Sequence, residues 1–526
     1  MRAELRDALE FLYADSEVSK RPRRRAGLDV ARGAVASVHV LVTGLEPGGR
    51  LRLEVRRGRS VAAEARWSRL RHVPVERNTG PVGFVEKKGE RNRHVIRRAP
   101  FRVYDAVEPV GRTVRAGGST EALRLEIPVP RDARPLARDY TITVSSGREQ
   151  TELRLAVRVR KPVVPAVGRA SLPYTNWFSL GLMASRHGLK PWSDEHWKMI
   201  RRYANLMVRG RQNTFWVPLR DVFSRGRRAP VLERERLRRI VRLFTSAGMH
   251  WIEGGHVASR TDGVWTATTF DLHLANVRAT SIKGNAALAG IARQLVDEID
   301  RNGWRDRWLQ HVADEPSDTN ADDYRILAGM VRRHMPGLPI LDATMNPALA
   351  GSVDIWCPQA QRYQQRRRMF EAQKAAGDSV WFYTCCFPGG KWLNRLLDME
   401  LLRPALLGWG AALYGLEGFL HWGLNHYRPE QDPLEQSVVD HGNNNFLPAG
   451  DTHIVYPGDG RPWSSLRLEA QREGLEDFEL LRMLRARRPK AAERVIQMAI
   501  RGFDRYTKDV GKFRAARRAL LGALER

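Results

Sequence analysis

Along the first third of the chain, hydrophobic and polar positions alternate with a period of two. Ser37-Val38-His39-Val40-Leu41-Val42, Leu123-Arg124-Leu125-Glu126-Ile127 and Leu153-Arg154-Leu155-Ala156-Val157-Arg158-Val159 each gather apolar side chains on one face of an extended segment, with turn-rich spacers between them. This pattern predicts antiparallel strands with one wet face, and a β-sandwich over residues 30–165 is the economical fold. Lys161-Pro162-Val163-Val164-Pro165 reads as a semi-rigid linker and residues 1–29 as an N-terminal tail.

From Ala170 the period changes. Short apolar runs at 172–178, 214–219, 250–254, 308–313, 339–343, 353–357, 380–385 and 418–423 alternate with helical stripes. Leu288, Ile291, Leu295 and Ile299 form one such stripe, and Tyr324, Leu327, Met330 and Val331 another. Ser193 before Asp194 and Glu195 predicts a helix start, with a hydroxyl cap and acids at the positive end of the dipole. Eight strand–helix units predict a (β/α)8 TIM-like barrel over residues 166–464, so the fold class is α/β plus all-β. No Gly-x-Gly-x-x-Gly turn follows any of these strands, which disfavours an open dinucleotide-binding sheet. Beyond residue 465, Leu475, Phe478, Leu481 and Leu484 share a helical stripe, and 465–526 reads as a short helical segment packed on the barrel.

Composition changes this picture little. The chain has 526 residues, 42% of them hydrophobic, enough for a large core in two domains. Its formal charge of +29 is carried mostly by arginines spread along the whole length. Apart from Arg21-Pro22-Arg23-Arg24-Arg25 and Arg366-Arg367-Arg368 there is no basic block, so no specific nucleic-acid partner is expected, while an anionic glycan would suit the charge. Three cysteines, Cys357, Cys385 and Cys386, make a disulfide framework or a cysteine-ligated zinc site a poor reading, and no cofactor or metal is called for. Residues 1–13 lack the uninterrupted apolar core of a secretory signal, so the chain as written is expected to stay in the cytoplasm unless its true start lies upstream. No apolar run approaches the ~20 residues of a membrane span.

The chemistry concentrates at His311-Val312-Ala313-Asp314-Glu315-Pro316. A strand-like run ends in two adjacent carboxylates before a proline that cannot donate to a sheet, so Asp314 and Glu315 fall at the carboxyl end of the fourth strand, the end that faces substrate in a barrel. The seventh strand segment, Val380 to Gly390, where a glycosidase would carry its nucleophile, holds no carboxylate. Substrate-assisted hydrolysis resolves this, because a sugar's own 2-acetamido oxygen can attack the anomeric carbon while one carboxylate orients it. Glu253, Asp342, Asp354 and Glu417 are reserve acids. A conventional glycosidase in which Glu253, Asp342 or Glu417 supplies the second carboxylate stays open, as does a non-catalytic carbohydrate-binding protein.

With these motifs in place, the sequence from about Ser171 to Leu481 resembles glycoside hydrolase family 123. The likeness is carried by His311-Val312-Ala313-Asp314-Glu315-Pro316, Val353-Asp354-Ile355-Trp356-Cys357-Pro358, Trp381-Phe382-Tyr383-Thr384-Cys385-Cys386, Gly418-Phe419-Leu420-His421-Trp422-Gly423-Leu424-Asn425 and the run from Arg467 to Phe478. The resemblance implies an N-terminal β-sandwich before a barrel and a retaining, exo-acting β-N-acetylgalactosaminidase working by substrate assistance on a glycan or glycoconjugate. Asp314 would hold the acetamido group and Glu315 would protonate the leaving oxygen. Tyr383 and Trp422 would build the acetamido pocket, Trp356 and Asn425 are further binding candidates, and His311 would orient the carboxylates from within the strand.

Overall fold

The computed structural model describes residues 1–227 and 229–526. Residues 2–163 build two sheets whose apolar faces share one core. The six-stranded sheet runs Arg25–Arg32, Glu149–Val163, Ala137–Ser146, Arg50–Arg57 and Ser60–Val61, with Thr113–Arg115 also paired to Arg50–Arg57. Its longest strand alternates as the sequence predicts. Leu153, Leu155, Val157 and Val159 are buried, whereas Glu152, Arg154 and Arg158 face water.

The seven-stranded sheet runs Arg2–Asp7, Val35–Thr43, Thr120–Pro128, Arg66–Val75, Phe101–Val110, Arg461–Ser465 and Tyr456–Gly458. Three features correct the sequence reading. Residues 1–29 are not a tail: Arg2–Asp7 and Arg25–Arg32 are strands of the two sheets. Arg2–Asp7 buries only Ala3 and Leu5 among its apolar residues, too short an alternation to stand out between charges. Next, the last two strands come from the far end of the chain, where Ser464 and Ser465 pair with Val107 and Ala106.

The third correction is that the polar face of this sheet is not wet. Arg124 and Glu126 on Thr120–Pro128 are buried because the helix Leu466–Arg487 covers them. Arg124 donates to Glu126 and to Ser37, and Arg209 links Glu126 to Glu469 of that helix. Alternating charges closed by ion pairs read in sequence like a solvated face. Leu466–Arg487 in turn crosses Leu402–Tyr414 where Gly474 meets Ala405 and Gly408 meets Gly474. A Cβ at Gly474 would stand 1.9 Å from the carbonyl oxygen of Ala405, so the crossing requires glycine.

All eight strand segments expected after Ala170 are strands, each shorter than read: Tyr174–Asn176, Thr214–Val217, Trp251–Gly254, Trp308–Gln310, Leu341–Asp342, Ile355–Trp356, a seventh divided into Ser379–Val380 and Phe382–Tyr383, and Phe419–His421. Every pairing among them is parallel. They form three separate three-stranded sheets rather than one closed ladder. A parallel bridge from Gln310 to Ile340 links two of these sheets, and Trp381 alone separates the two halves of the seventh strand.

Side chains alternate between two apolar clusters along these strands. Leu309, Leu341, Ile355, Tyr383 and Leu420 join one another, while Trp308, Ile340, Trp356, Phe382 and Phe419 join the main core with the helices. The loop around 78–92 reaches this region from the N-terminal sheets. Asp398 accepts from the backbone N–H and hydroxyl of Thr79 (both 2.7 Å) and from the Asn78 amide (3.2 Å), and Phe84 packs edge-on against Phe387.

Candidate active site

The segment that follows Trp308–Gln310 leaves regular structure at once and turns at Asp314 and Glu315. Glu315 has φ +46, a left-handed conformation that is rare before proline and stores roughly 1–3 kcal/mol of backbone strain. Arg260, from the hairpin after Trp251–Gly254, donates to the Glu315 carbonyl oxygen at 2.6 Å and offsets that strain. The Asp314 side chain is 49% exposed.

Tyr383 donates its phenol to the Glu315 carboxylate and lies 3.9 Å from the Met345 sulfur. Its position is a consequence of register, since Tyr383 alternates inward while its neighbour Phe382 packs outward. Partial removal from water raises both acids, Asp314 to about 7 through burial and then the adjacent Glu315 charge. Arg260 and His311 act in the opposite direction on Asp314, whereas Tyr383 and Arg260 do so on Glu315. Two neighbouring carboxyls raised in this way ionise together less readily than either would alone.

Beneath them lies a buried ionic triad. His311 is fully buried, with Nδ1 2.7 Å from Asp342 Oδ1 and Nε2 2.7 Å from Glu253 Oε1. Burial alone would lower its proton affinity, but the bonds to Asp342 and Glu253 override this and raise it to about 9, so the imidazolium sits between two carboxylates. Glu253 also accepts from Thr175 and from the Trp177 indole, and Asp342 from Tyr324 and from the Val312 backbone. Each anion is thereby fixed by two or more neutral donors besides the cation.

His256 completes the floor. Trp177 and Trp216 stack at 4.8 Å and present their faces edge-on to both His256 and His311. His256 Nε2 has no hydrogen-bond partner and stands 4.0 Å from both Asp314 Oδ1 and Asp342 Oδ1. Burial, then the His311 charge, hold it well below the ordinary histidine range, so it is a neutral ring beside Asp314. His256, His311 and Asp342 bring three ligand-type atoms within 4.8 Å of one another, but both nitrogens of His311 are already bonded to carboxylates, and a cation would have to displace one.

The other acids singled out in sequence do not face Asp314 and Glu315 as free partners. Glu253 and Asp342 hold His311. Asp354 pairs with Arg332 and accepts from the Ile340 backbone, and Glu417 accepts from Ser379, both at the starting ends of their strands. Two binding candidates are engaged elsewhere in the fold. Trp356 turns outward into the helix-packed core, its indole donating to Asp378 at 2.8 Å, because its register is opposite to that of Ile355 and Cys357. Asn425 spends its amide on the backbone of Ser179, accepting at 2.9 Å and donating at 3.1 Å. Trp422 is half-buried and packs on the inner cluster.

Sequence reading missed His256, Arg260, Trp177 and Trp216. A signal existed for the first: Glu253-Gly254-Gly255-His256 ends a strand with two glycines. A Cβ at Gly254 would meet Gln310 Oε1 at 2.6 Å and one at Gly255 would meet the Pro218 backbone at 3.0 Å, so small residues are required for the chain to turn and aim His256 inward.

Residues 250–484 match the glycoside hydrolase 123 catalytic domain. The whole chain superposes on a family 123 glycoside hydrolase from Clostridium perfringens, studied for glycolipid glycan hydrolysis, with a TM-score of 0.76 at 12% identity, covering 100% of this chain and 97% of that one. At that identity the likeness is one of fold. A β-glucuronidase from Parabacteroides merdae is far more distant, with a TM-score of 0.32 at 12% identity over 85% of this chain and 50% of that one. No curated protein sequence matches the chain.

Proposed function

Because residues 250–484 belong to glycoside hydrolase family 123, we propose that this glycoside hydrolase is an exo-acting, retaining β-N-acetylgalactosaminidase in which the substrate's 2-acetamido group is the nucleophile. The observation that carries the reading is the fate of the acids. Asp314 and Glu315 stand side by side at the end of the fourth strand, while Glu253 and Asp342 are committed to His311. A conventional mechanism needs a second carboxyl free to face the sugar, whereas Glu253 and Asp342 are buried and bonded to His311.

In this scheme Glu315, whose proton affinity burial raises, enters protonated and delivers its proton to the glycosidic oxygen as the bond breaks. Asp314 acts as its anion, a form that Arg260 and His311 favour against the larger upward pull of burial and Glu315; it orients the acetamido N–H and stabilises the positive charge that develops on the closing oxazolinium. Neutral His256 turns an unpartnered nitrogen towards Asp314, and Trp422 would cover the acetamido methyl. Water then opens the oxazolinium with Glu315 as base, giving net retention. The three parallel sheets read best as arcs of one (β/α)8 ring, with the two N-terminal sheets as a sandwich, a reading supported by their strand order and by the Gln310–Ile340 bridge. A glycolipid glycan is one natural substrate form, given what the Clostridium perfringens enzyme was studied on.

The test compares two glycosides of identical leaving group, one with a 2-acetamido and one with a 2-hydroxy substituent, and follows the anomeric configuration of the first product by NMR. Turnover of the acetamido sugar alone, with retention, is expected. Comparable turnover of both, inversion, or a trapped glycosyl-enzyme would refute the mechanism, and binding without any turnover would leave a carbohydrate-binding protein.

A further inference from the structure

Trp265 is the one aromatic side chain among the exposed large apolar residues of the described chain, at 59% exposure, and its neighbour Val264 is 50% exposed. Tryptophan this open to water is uncommon without a ligand to cover it. The residue sits at the tip of the hairpin Ala258–Arg260 and Phe270–Leu272, whose base is held by a 2.8 Å contact between the hydroxyls of Thr261 and Thr269. Asp323, on the helix that follows the Asp-Glu-Pro turn, accepts from the Phe270 backbone at 2.9 Å, and Asn320 donates to Ala267 at 3.2 Å. An exposed indole is thus fixed in place from the same segment that carries the two acids.

Arg260 connects it to them. Its guanidinium carbon lies 3.9 Å from the centre of the Trp265 ring, its Nη2 donates to the Glu315 carbonyl, and its buried Nε has no partner. The indole is therefore one guanidinium away from the backbone of the residue that meets the leaving oxygen, with one ring face shielded by Arg260 and the rest open. A flat apolar face beside a guanidinium with donors to spare suits a pyranose, whose C–H face stacks while its rim hydroxyls accept.

We infer that Trp265 and Arg260 form the wall of the cleft that binds the leaving-group sugar, a neutral hexose next to the scissile bond. The inference rests on Glu315 being the acid, because that assignment places this side of the turn towards the leaving group. It gives a fixed hairpin outside the reaction centre a role in choosing between glycans that share the same terminal residue.

The test uses the full chain with two substrates, the disaccharide of β-linked N-acetylgalactosamine on galactose and the corresponding glycosyl fluoride, which has no sugar aglycone. Trp265→Ala is expected to lower the ratio of kcat/KM for the disaccharide to that for the fluoride about tenfold, and Trp265→Phe to restore most of it. An equal loss on both substrates assigns Trp265 to the stability of the hairpin and overturns the proposal, as does an unchanged ratio. A defect seen only when the glycan is carried on a lipid in phosphatidylcholine vesicles, with the soluble disaccharide unaffected, makes the tip a membrane contact and also overturns it. Wild-type protein that hydrolyses neither substrate removes the acid assignment itself, and this wall with it.

Discussion

Replacing His311 by asparagine tests the foundation of the site. The imidazole bridges Glu253 and Asp342 at 2.7 Å on each side with no exposure to water, and asparagine is too short to donate to both. Moving the proton affinity from its ordinary 6.5 to about 9 stabilises the folded state by about 3 kcal/mol, at ~1.4 kcal/mol per tenfold change in affinity. Breaking a buried ion pair by removing one partner costs a similar ~3–5 kcal/mol, because the remaining anions are left uncompensated.

The direction with pH follows from the folded value lying above the unfolded one. Stabilisation is complete below about pH 6.5 and is lost as pH rises through about 9. Urea unfolding at constant ionic strength should therefore show wild type ahead of His311→Asn by about 3 kcal/mol at pH 6.5 and the two converging above pH 9. A gap that stays constant across this range would mean that the histidine is neutral in the fold and the triad is an ordinary hydrogen-bonded cluster.

Glu315→Gln is expected to lower kcat on unactivated glycosides by about two to four orders of magnitude, with a smaller loss on good leaving groups; equal losses would exclude it as the acid. Asp314→Asn should cost about 3 to 4 kcal/mol in the first chemical step while binding of the product sugar, measured by calorimetry, is retained. The pH profile of kcat/KM should be bell-shaped with an alkaline limb above the usual carboxylate range, since activity needs one proton on the Asp314–Glu315 pair, and that limb should vanish in Glu315→Gln. Tyr383→Phe removes a donor that favours the Glu315 anion, so the alkaline limb should move to higher pH rather than lower. Trp356→Phe should lower the unfolding midpoint and leave KM unmoved, because its indole serves Asp378 in the core.

The eight strand segments and the paired acids were legible because short apolar runs and a carboxylate pair before proline are local signals. What was hidden depended on partners distant in sequence. Arg124 and Glu126 looked like a wet face because nothing local reveals that Arg209 and Glu469 will cover them. Trp356 could have been excluded by counting alternate residues from Ile355 and Cys357, a rule that also puts Tyr383, His311 and Trp422 inside. Asn425 could not, since its partner is the backbone of Ser179. The vicinity of His256 and Arg260 to the acids is likewise a matter of which loops converge.

The return of Arg461–Ser465 to the N-terminal sheet has a consequence for synthesis. Arg467, two residues beyond that strand, bonds Asp105 across 362 positions of sequence. At ~5–20 residues per second, the ribosome needs roughly 20 to 70 seconds after making Phe101–Val110 before its neighbouring strand emerges. Throughout that interval the Ala106–Val107 part of its edge, beyond the stretch that residues 12–14 cover, offers unpaired backbone donors and acceptors to any other nascent chain. The N-terminal sheets are thus not a module that ripens first and waits. Expressed without the C-terminal residues they would associate edge to edge, and the C-terminal half expressed without them would leave buried Arg467 without its carboxylate partner Asp105.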